Sequence, residues 1–329
     1  MNFKKQIFSG LIAASFFSGA VAQEKFVVTS EVPIKTNPSP YIVEFVDRVE
    51  ELTGGELIGE YFEAARLYTD TEGLAALGTG TVQFVFPVST RLEQFDPRSG
   101  IVNLPFMITY EQMRDECFHN EVTSLVNGYM SEGSMKILGF LRTAELIFLM
   151  ADDPINALEN LDGKKIRLVG GKVMRNAMRS VGVSPVSMAA SEMAVAMSQG
   201  AIDGAVTSPA GWAHVLGSAA DYGILFPGMS LATSAIAVDD DWYTSLPVEY
   251  KDAIDTAVNE LIDKQWVETV QKDENLINQM ISKGGDYSVM DSDETAKMKE
   301  KFSDAVSMFT SRYPEVVRKY DAIVDKCGS

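Results

Sequence analysis

The side chains that could do chemistry are unevenly supplied: this chain of 329 residues carries two histidines and two cysteines against 46 acids. A Ser-His-Asp or Cys-His site needs a histidine that the fold brings to the nucleophile, so only His119 and His214 qualify. His119 stands in a charged helical pattern between Glu116 and Glu121 and reads as a solvated side chain. His214 follows Trp212 just past a strand and is the better candidate. Cys117 and Cys327 have no metal-ligand spacing with either histidine, so no metal is expected. Among the acids no spacing singles out a general acid/base pair.

One loop and one arginine say more. Val169-Gly170-Gly171-Lys172 follows a strand and opens a helix, where backbone N–H groups can face an anion. It matches neither the dinucleotide-binding nor the phosphate-loop glycine pattern, so no nucleotide or other cofactor is expected. Immediately before it, Arg167 lies inside the apolar run Lys165-Ile166-Arg167-Leu168-Val169. A guanidinium there is costly unless it is paired. Either it forms an internal salt bridge, or its fork waits for a ligand carboxylate.

Those residues need elements to position them. Phe26–Ser30, Leu57–Phe62, Thr81–Val88, Lys165–Val169, Ala201–Thr207 and Leu231–Val238 read as strands, and amphipathic helices such as Tyr41–Leu52 and Met113–Tyr129 lie between them. The alternation predicts an α/β fold with mostly parallel sheets. A helical pattern from Ser245-Leu246-Pro247 to Gly284-Gly285 is too long for one small domain and should cross two. Gly80–Val85 and Gly200–Ala205 echo each other as helix, glycine cap and strand. Their strands would deliver Pro87–Arg91 and Thr207–Trp212 to a shared cleft, including Trp212 and His214 just beyond.

Length favours two domains. The formal net charge of −18 makes nucleic acid a poor partner, and an anionic ligand would need a local basic residue. Residues 1–22 have Lys4 and Lys5, then an apolar stretch, then Ala20-Val21-Ala22, the pattern of a secretory leader. No later apolar run is long enough for a membrane span. In an oxidising compartment Cys117 and Cys327 could pair, which the sequence leaves open.

The run Glu159–Arg167, followed by Val181-Gly182 and Pro185, Ser191-Glu192 and Gln199–Gly204, resembles the central signature of the dicarboxylate-type, DctP-like solute-binding proteins of tripartite ATP-independent periplasmic (TRAP) transporters. The similarity extends to Val49–Gly55 with Arg66-Leu67, to Leu104-Pro105-Phe106, and to Trp242 with Leu246-Pro247. It implies a two-lobed periplasmic-binding-protein fold of the Venus-flytrap kind, with a long helix spanning both lobes. Lobe I would take residues 23–143 and 233–273, and lobe II residues 144–232 and 274–329. The resemblance further implies capture of a small organic acid in the periplasm and delivery to TRAP membrane permease subunits, with no insertion into the membrane and no catalysis. Arg167 becomes the carboxylate clamp.

Counting from Arg167, this chain departs from the family pattern. A frequent second arginine falls at Leu146-Ile147, a stacking aromatic at Ala190, a tyrosine at Ala194, and an asparagine at Thr207-Ser208. The wall is then more apolar, favouring a monocarboxylate. Glu31, Arg66 and Arg91, near loop exits of the first lobe, are further cleft candidates. An α/β lyase or hydrolase and a receptor-coupled sensing module remain the alternatives.

Overall fold

The computed structural model describes residues 23–130, 133–188 and 190–328; the leader pattern of residues 1–22 lies outside them. In chain order the strands are β1 (Glu24–Thr29), β2 (Leu57–Phe62), β3 (Phe84–Val85), β4 (Met135–Glu145), β5 (Ile147–Met150), β6 (Lys165–Leu168), β7 (Ser184–Ser187), β8 (Gly204–Thr207), β9 (Tyr222–Leu225), β10 (Leu231–Asp239) and β11 (Asp286–Val289). They form two sheets, ordered β2-β1-β3-β10-β4 and β11-β9-β5-β8-β6-β7.

Each sheet is buried on both faces, which explains the apolar strand runs. In the first, Phe26, Val28 and Phe84 pack with Phe45 and Val49 of the helix Ser39–Leu52. Val85 faces the opposite cluster with Phe118, Val122 and Val126. In the second, Ile166 and Leu168 join Met174 and Met178, while Ile147 and Leu149 pack on Trp212.

Both sheets are mixed: β1 is parallel to β2 and β3, β6 to β7 and β8, and β9 to β11, as the alternation suggests, but each sheet also holds antiparallel pairs. β10 runs antiparallel to β3 and β4, and β5 antiparallel to β8 and β9. The cause is the crossing between sheets. β4 passes into β5 with only Leu146 between them, and β10 returns along β4 from Leu231 opposite Glu145 to Asp239 opposite Met135. A strand that goes over and one that comes back must be antiparallel.

The expected strand Thr81–Val88 shrinks to two residues because the Gln83 side chain accepts the Val27 N–H at 2.8 Å, displacing a ladder bond, and Pro87 has no N–H to give. The expected helix Met113–Tyr129 breaks at Asp115, whose carboxylate accepts the Phe118 N–H and starts a new helix, Glu116–Met130. His119 on that helix is not solvated. It is 4 % exposed, with Nδ1 at 3.0 Å from Met113 O and Nε2 accepting the Phe140 N–H at 3.1 Å. Burial lowers its pKa and holds it neutral, as an acceptor from Phe140 must be.

The long helix runs from Val248 to Ser282, 35 residues, or roughly 52 Å at about 1.5 Å per residue. Near its first half Glu260 holds Arg48 of the first lobe at 2.7 Å, and at its end Met280 joins the Trp212 cluster of the second. Past its middle Asp273 accepts from Arg142 of β4 at 2.6 Å, an ion pair almost wholly buried at the crossing. The helix Ser292–Arg312 covers the second sheet through Met298 and Phe302. The last helix, Pro314–Cys327, returns to the first: Val316, Tyr320 and Ile323 enter its core and Cys327 is disulfide-bonded to Cys117. That helix therefore packs against the core of the first sheet.

Candidate ligand-binding site

The cleft is built where segments leaving both sheets converge. From the first lobe comes the short 3-10 helix Ser89–Gln94, after β3. From the second come Leu168–Gly171, which lead from β6 into the helix Lys172–Ser180, and Thr207-Ser208 at the end of β8. Together with Leu146 and the start of β10 they enclose a cavity of about 100 Å³, somewhat smaller than the roughly 150 Å³ void that accommodates benzene. Val88, Leu146, Leu168, Met174 and Val206 give it aliphatic walls, and Ser89, Thr90, Thr143, Thr207 and Ser208 supply hydroxyls. The Thr90 hydroxyl is buried without a partner. Ser208 Oγ accepts the Gly211 N–H at 3.1 Å and so fixes the exit from β8.

Arg167 is 4 % exposed. Its Nε and Nη2 donate to Met188 O at 3.2 and 3.1 Å, which aims the fork but does not neutralise it. No acid is paired with it among the described residues. Burial, and then the positive charge of Arg91, push its pKa down to about 10. Arg91 comes from the other lobe, so two cations approach one another across the cleft. Arg91 lies 3.6 Å from Glu31, and its Nε is buried without a hydrogen bond. Neither guanidinium lines the aliphatic cavity; their chain neighbours Thr90 and Leu168 do.

Asp70 holds the first-lobe side together. Its carboxylate accepts the N–H of Glu31 at 3.0 Å and of Val88 at 2.9 Å, tying the loops that carry Glu31 and Arg91. Burial first, and Glu31 second, push its pKa up to about 7. Beside the cavity a polar chain runs from Thr233 to Ser89 at 2.9 Å, Ser89 to Asn103 at 2.7 Å and Asn103 to Glu93 at 3.1 Å. It ends where Glu93 accepts the Lys172 N–H across the cleft, at 3.3 Å.

The structure thus brings Arg167, Arg91, Glu31, Leu146, Thr207 and Ser208 into one region. It places the other sequence candidates elsewhere. Arg66 points to solvent and lies 3.7 Å from Glu63. Ala190 opens an exposed turn, Ala190–Glu192. Trp212 is fully buried in the second core, its Nε1 donating to Ala220 O, because the turn after β8 folds the indole inward over Gly223. His214 is exposed and borders a separate open depression with Lys35 and Lys272. Sequence reasoning missed Asp70, Glu93 and Asn103. Only Glu93 had a signal, its position two residues after Arg91.

Two sheets bridged by a strand pair and one long helix, with loops of both lobes meeting near the buried Arg167 and the half-buried Arg91, define a two-lobed solute-binding fold. The chain belongs to the DctP family, bacterial extracellular solute-binding protein family 7, whose model matches residues 30–312. It is 29% identical over 161 residues to the uncharacterized protein YiiZ of Salmonella typhimurium, covering 48% of this chain and 49% of that protein. The match thus spans about half the length of that relative. It is 24% identical over 258 residues to the C4-dicarboxylate-binding periplasmic protein DctP of Shewanella loihica, covering 77% and 75%. Among solved structures, a TRAP periplasmic solute binding protein from Desulfovibrio desulfuricans with bound sn-glycerol-3-phosphate superposes with a TM-score of 0.85 at 18% identity, covering 93% of this chain and 97% of that one. One from Shewanella oneidensis with bound succinate gives 0.81 at 22%, covering 92% and 99%.

Proposed function

We propose that this protein captures a small organic acid outside the cytoplasm by closing its two lobes on it, and delivers the acid to a TRAP-type membrane permease. The observation that carries this reading is Arg167: a buried, forked cation whose only partner among the described residues is a backbone carbonyl. A ligand carboxylate supplies the missing charge in bidentate geometry. Arg91 faces it from the first lobe, and the hydroxyls of Thr207 and Ser208 lie alongside. Lobe I is residues 23–143, 233–273 and 314–328, and lobe II is residues 144–232 and 274–313. The leader pattern of residues 1–22 directs export to the periplasm. No helix among the described residues is long and apolar enough to cross a membrane, so handover takes place by docking on the permease.

Membership of a solute-binding family, and the neutral His119 sequestered in the core, favour binding without turnover over a lyase or hydrolase. Calorimetric titration of the purified chain with a panel of small carboxylates should give saturable binding with one ligand per chain, and the ligand should be recovered unchanged. Accumulation of product over many turnovers would favour the enzyme instead.

A further inference from the structure

The glycine-rich turn before the helix Lys172–Ser180 is an anion position, because the first N–H groups of a helix have no partner inside it and carry the positive end of its dipole. Here that position is filled from the opposite lobe. Glu93 Oε2 accepts the N–H of Lys172, the first residue of the helix. Glu93 Oε1 accepts from Asn103 and lies beside Gly171, where an added side chain would meet it at ordinary contact distance, 3.7 Å. Asn103 is held in turn by Ser89 and Thr233, so the carboxyl is steered into place by a chain of fixed hydrogen bonds. Burial raises the pKa of the Glu93 carboxyl, and the Lys172 N–H, Asn103 and the charge of Arg175 on the same helix pull against that rise. Glu93, Asn103 and Gly171 all line the aliphatic cavity, as does Leu168, the chain neighbour of Arg167.

Counting charges around the cleft then has a definite result. Arg91 is already matched by Glu31, and the helix terminus by Glu93. Among the described residues Arg167 is left as the one buried cation without an acid, and the aliphatic cavity next to it has aliphatic side chains and hydroxyls for its remaining walls. A first carboxylate finds Arg167. A second would meet either apolar wall or the carboxyl of Glu93.

We infer that Glu93 is a specificity residue that occupies the second anion position of the cleft and restricts the ligand to carboxylates bearing a single negative charge. This rests on the proposed capture of an organic acid and narrows it to monoanions with a compact aliphatic or hydroxylated body. The chamber answers a second ligand carboxylate with one of its own, and like charges at close range in a partly desolvated site repel strongly.

The test pairs acids of equal length, butyrate with succinate and pentanoate with glutarate, titrated calorimetrically into the wild-type chain and Glu93→Gln, with melting curves to confirm folding. Wild type should prefer the monoanion of each pair by at least about tenfold. Glu93→Gln, which keeps the side chain's shape, should shrink that preference several-fold by gaining affinity for the dianion. Equal wild-type affinities within each pair would overturn the inference while leaving the capture of organic acids standing, and so would an unchanged preference in a folded variant. Should Glu93→Gln not fold, the wild-type ratio alone decides. Absence of binding by all four acids and by a wider carboxylate panel would remove the capture function itself, and this inference with it.

Discussion

Arg167 has a desolvated guanidinium held by one carbonyl, so its alternative role as half of an internal salt bridge has no acid to support it among the described residues. Arg167→Ala should weaken carboxylate binding by about 2–5 kcal/mol, the usual cost of removing one partner of a buried charge pair, or roughly 30-fold to several thousand-fold. Arg167→Lys should recover little of this, since a point charge cannot reproduce the fork. Melting curves recorded beside the titration separate binding from folding, and unchanged affinity with a lowered melting point would take Arg167 out of the site. The sequence made this residue legible because an arginine inside Lys165–Val169 breaks an apolar strand and demands a reason. It misread His119 for the converse cause: flanking Glu116 and Glu121 turn outward while His119, on the other side of the helix, meets Phe140 of β4. That contact joins residues 21 apart in sequence, and no local pattern encodes it. Asp70 and Asn103 were invisible for the same reason, their roles being fixed by partners on other segments.

At the scale of elements, the ion pair of Arg142 with Asp273 joins the crossing strand to the long helix. Burial pushes the Asp273 carboxyl up to about 6, against the opposing pull of Arg142. Because the folded value lies above the ordinary carboxylate range, this group favours the folded state most at low pH, and that contribution is lost as pH rises through about 6. Arg142→Met removes the countercharge and should destabilise the fold by about 3–5 kcal/mol at pH 8, since it strands a buried carboxylate. Near pH 5 the deficit should be smaller, because Asp273 can take up a proton. Denaturant unfolding of both proteins at the two pH values measures the difference, and equal deficits would show that the pair does not govern it. The long helix was readable from its periodicity and its Leu246-Pro247 and Gly284-Gly285 boundaries. β4 and β5 were not, because the run Met135–Met150 serves two sheets in succession and presents no single alternating face. The two-residue β3 escaped for a different reason, a glutamine side chain standing in for a strand's backbone.

For the whole molecule, the disulfide from Cys117 to Cys327 closes a span of 210 residues and pins the last helix to the first lobe. Cys117→Ser with Cys327→Ser should cost about 2–4 kcal/mol of stability, read as a lower melting point, with earlier proteolysis at the C-terminal helix. Ligand affinity of the folded fraction should stay near wild type, because the bond lies away from the cleft; a large loss of affinity would mean that this helix helps to set the lobes' closure. The two-lobed plan itself was legible, because alternating strands and helices, an internal echo and one overlong helix all point the same way.

That returning helix also fixes the timetable of the protein's making. Val316, Tyr320 and Ile323 belong to the same core as Val82, Val85 and Met130, so the half of the molecule begun first is finished last. Until the helix Pro314–Cys327 packs, the first lobe's core lacks the side chains of Val316, Tyr320 and Ile323.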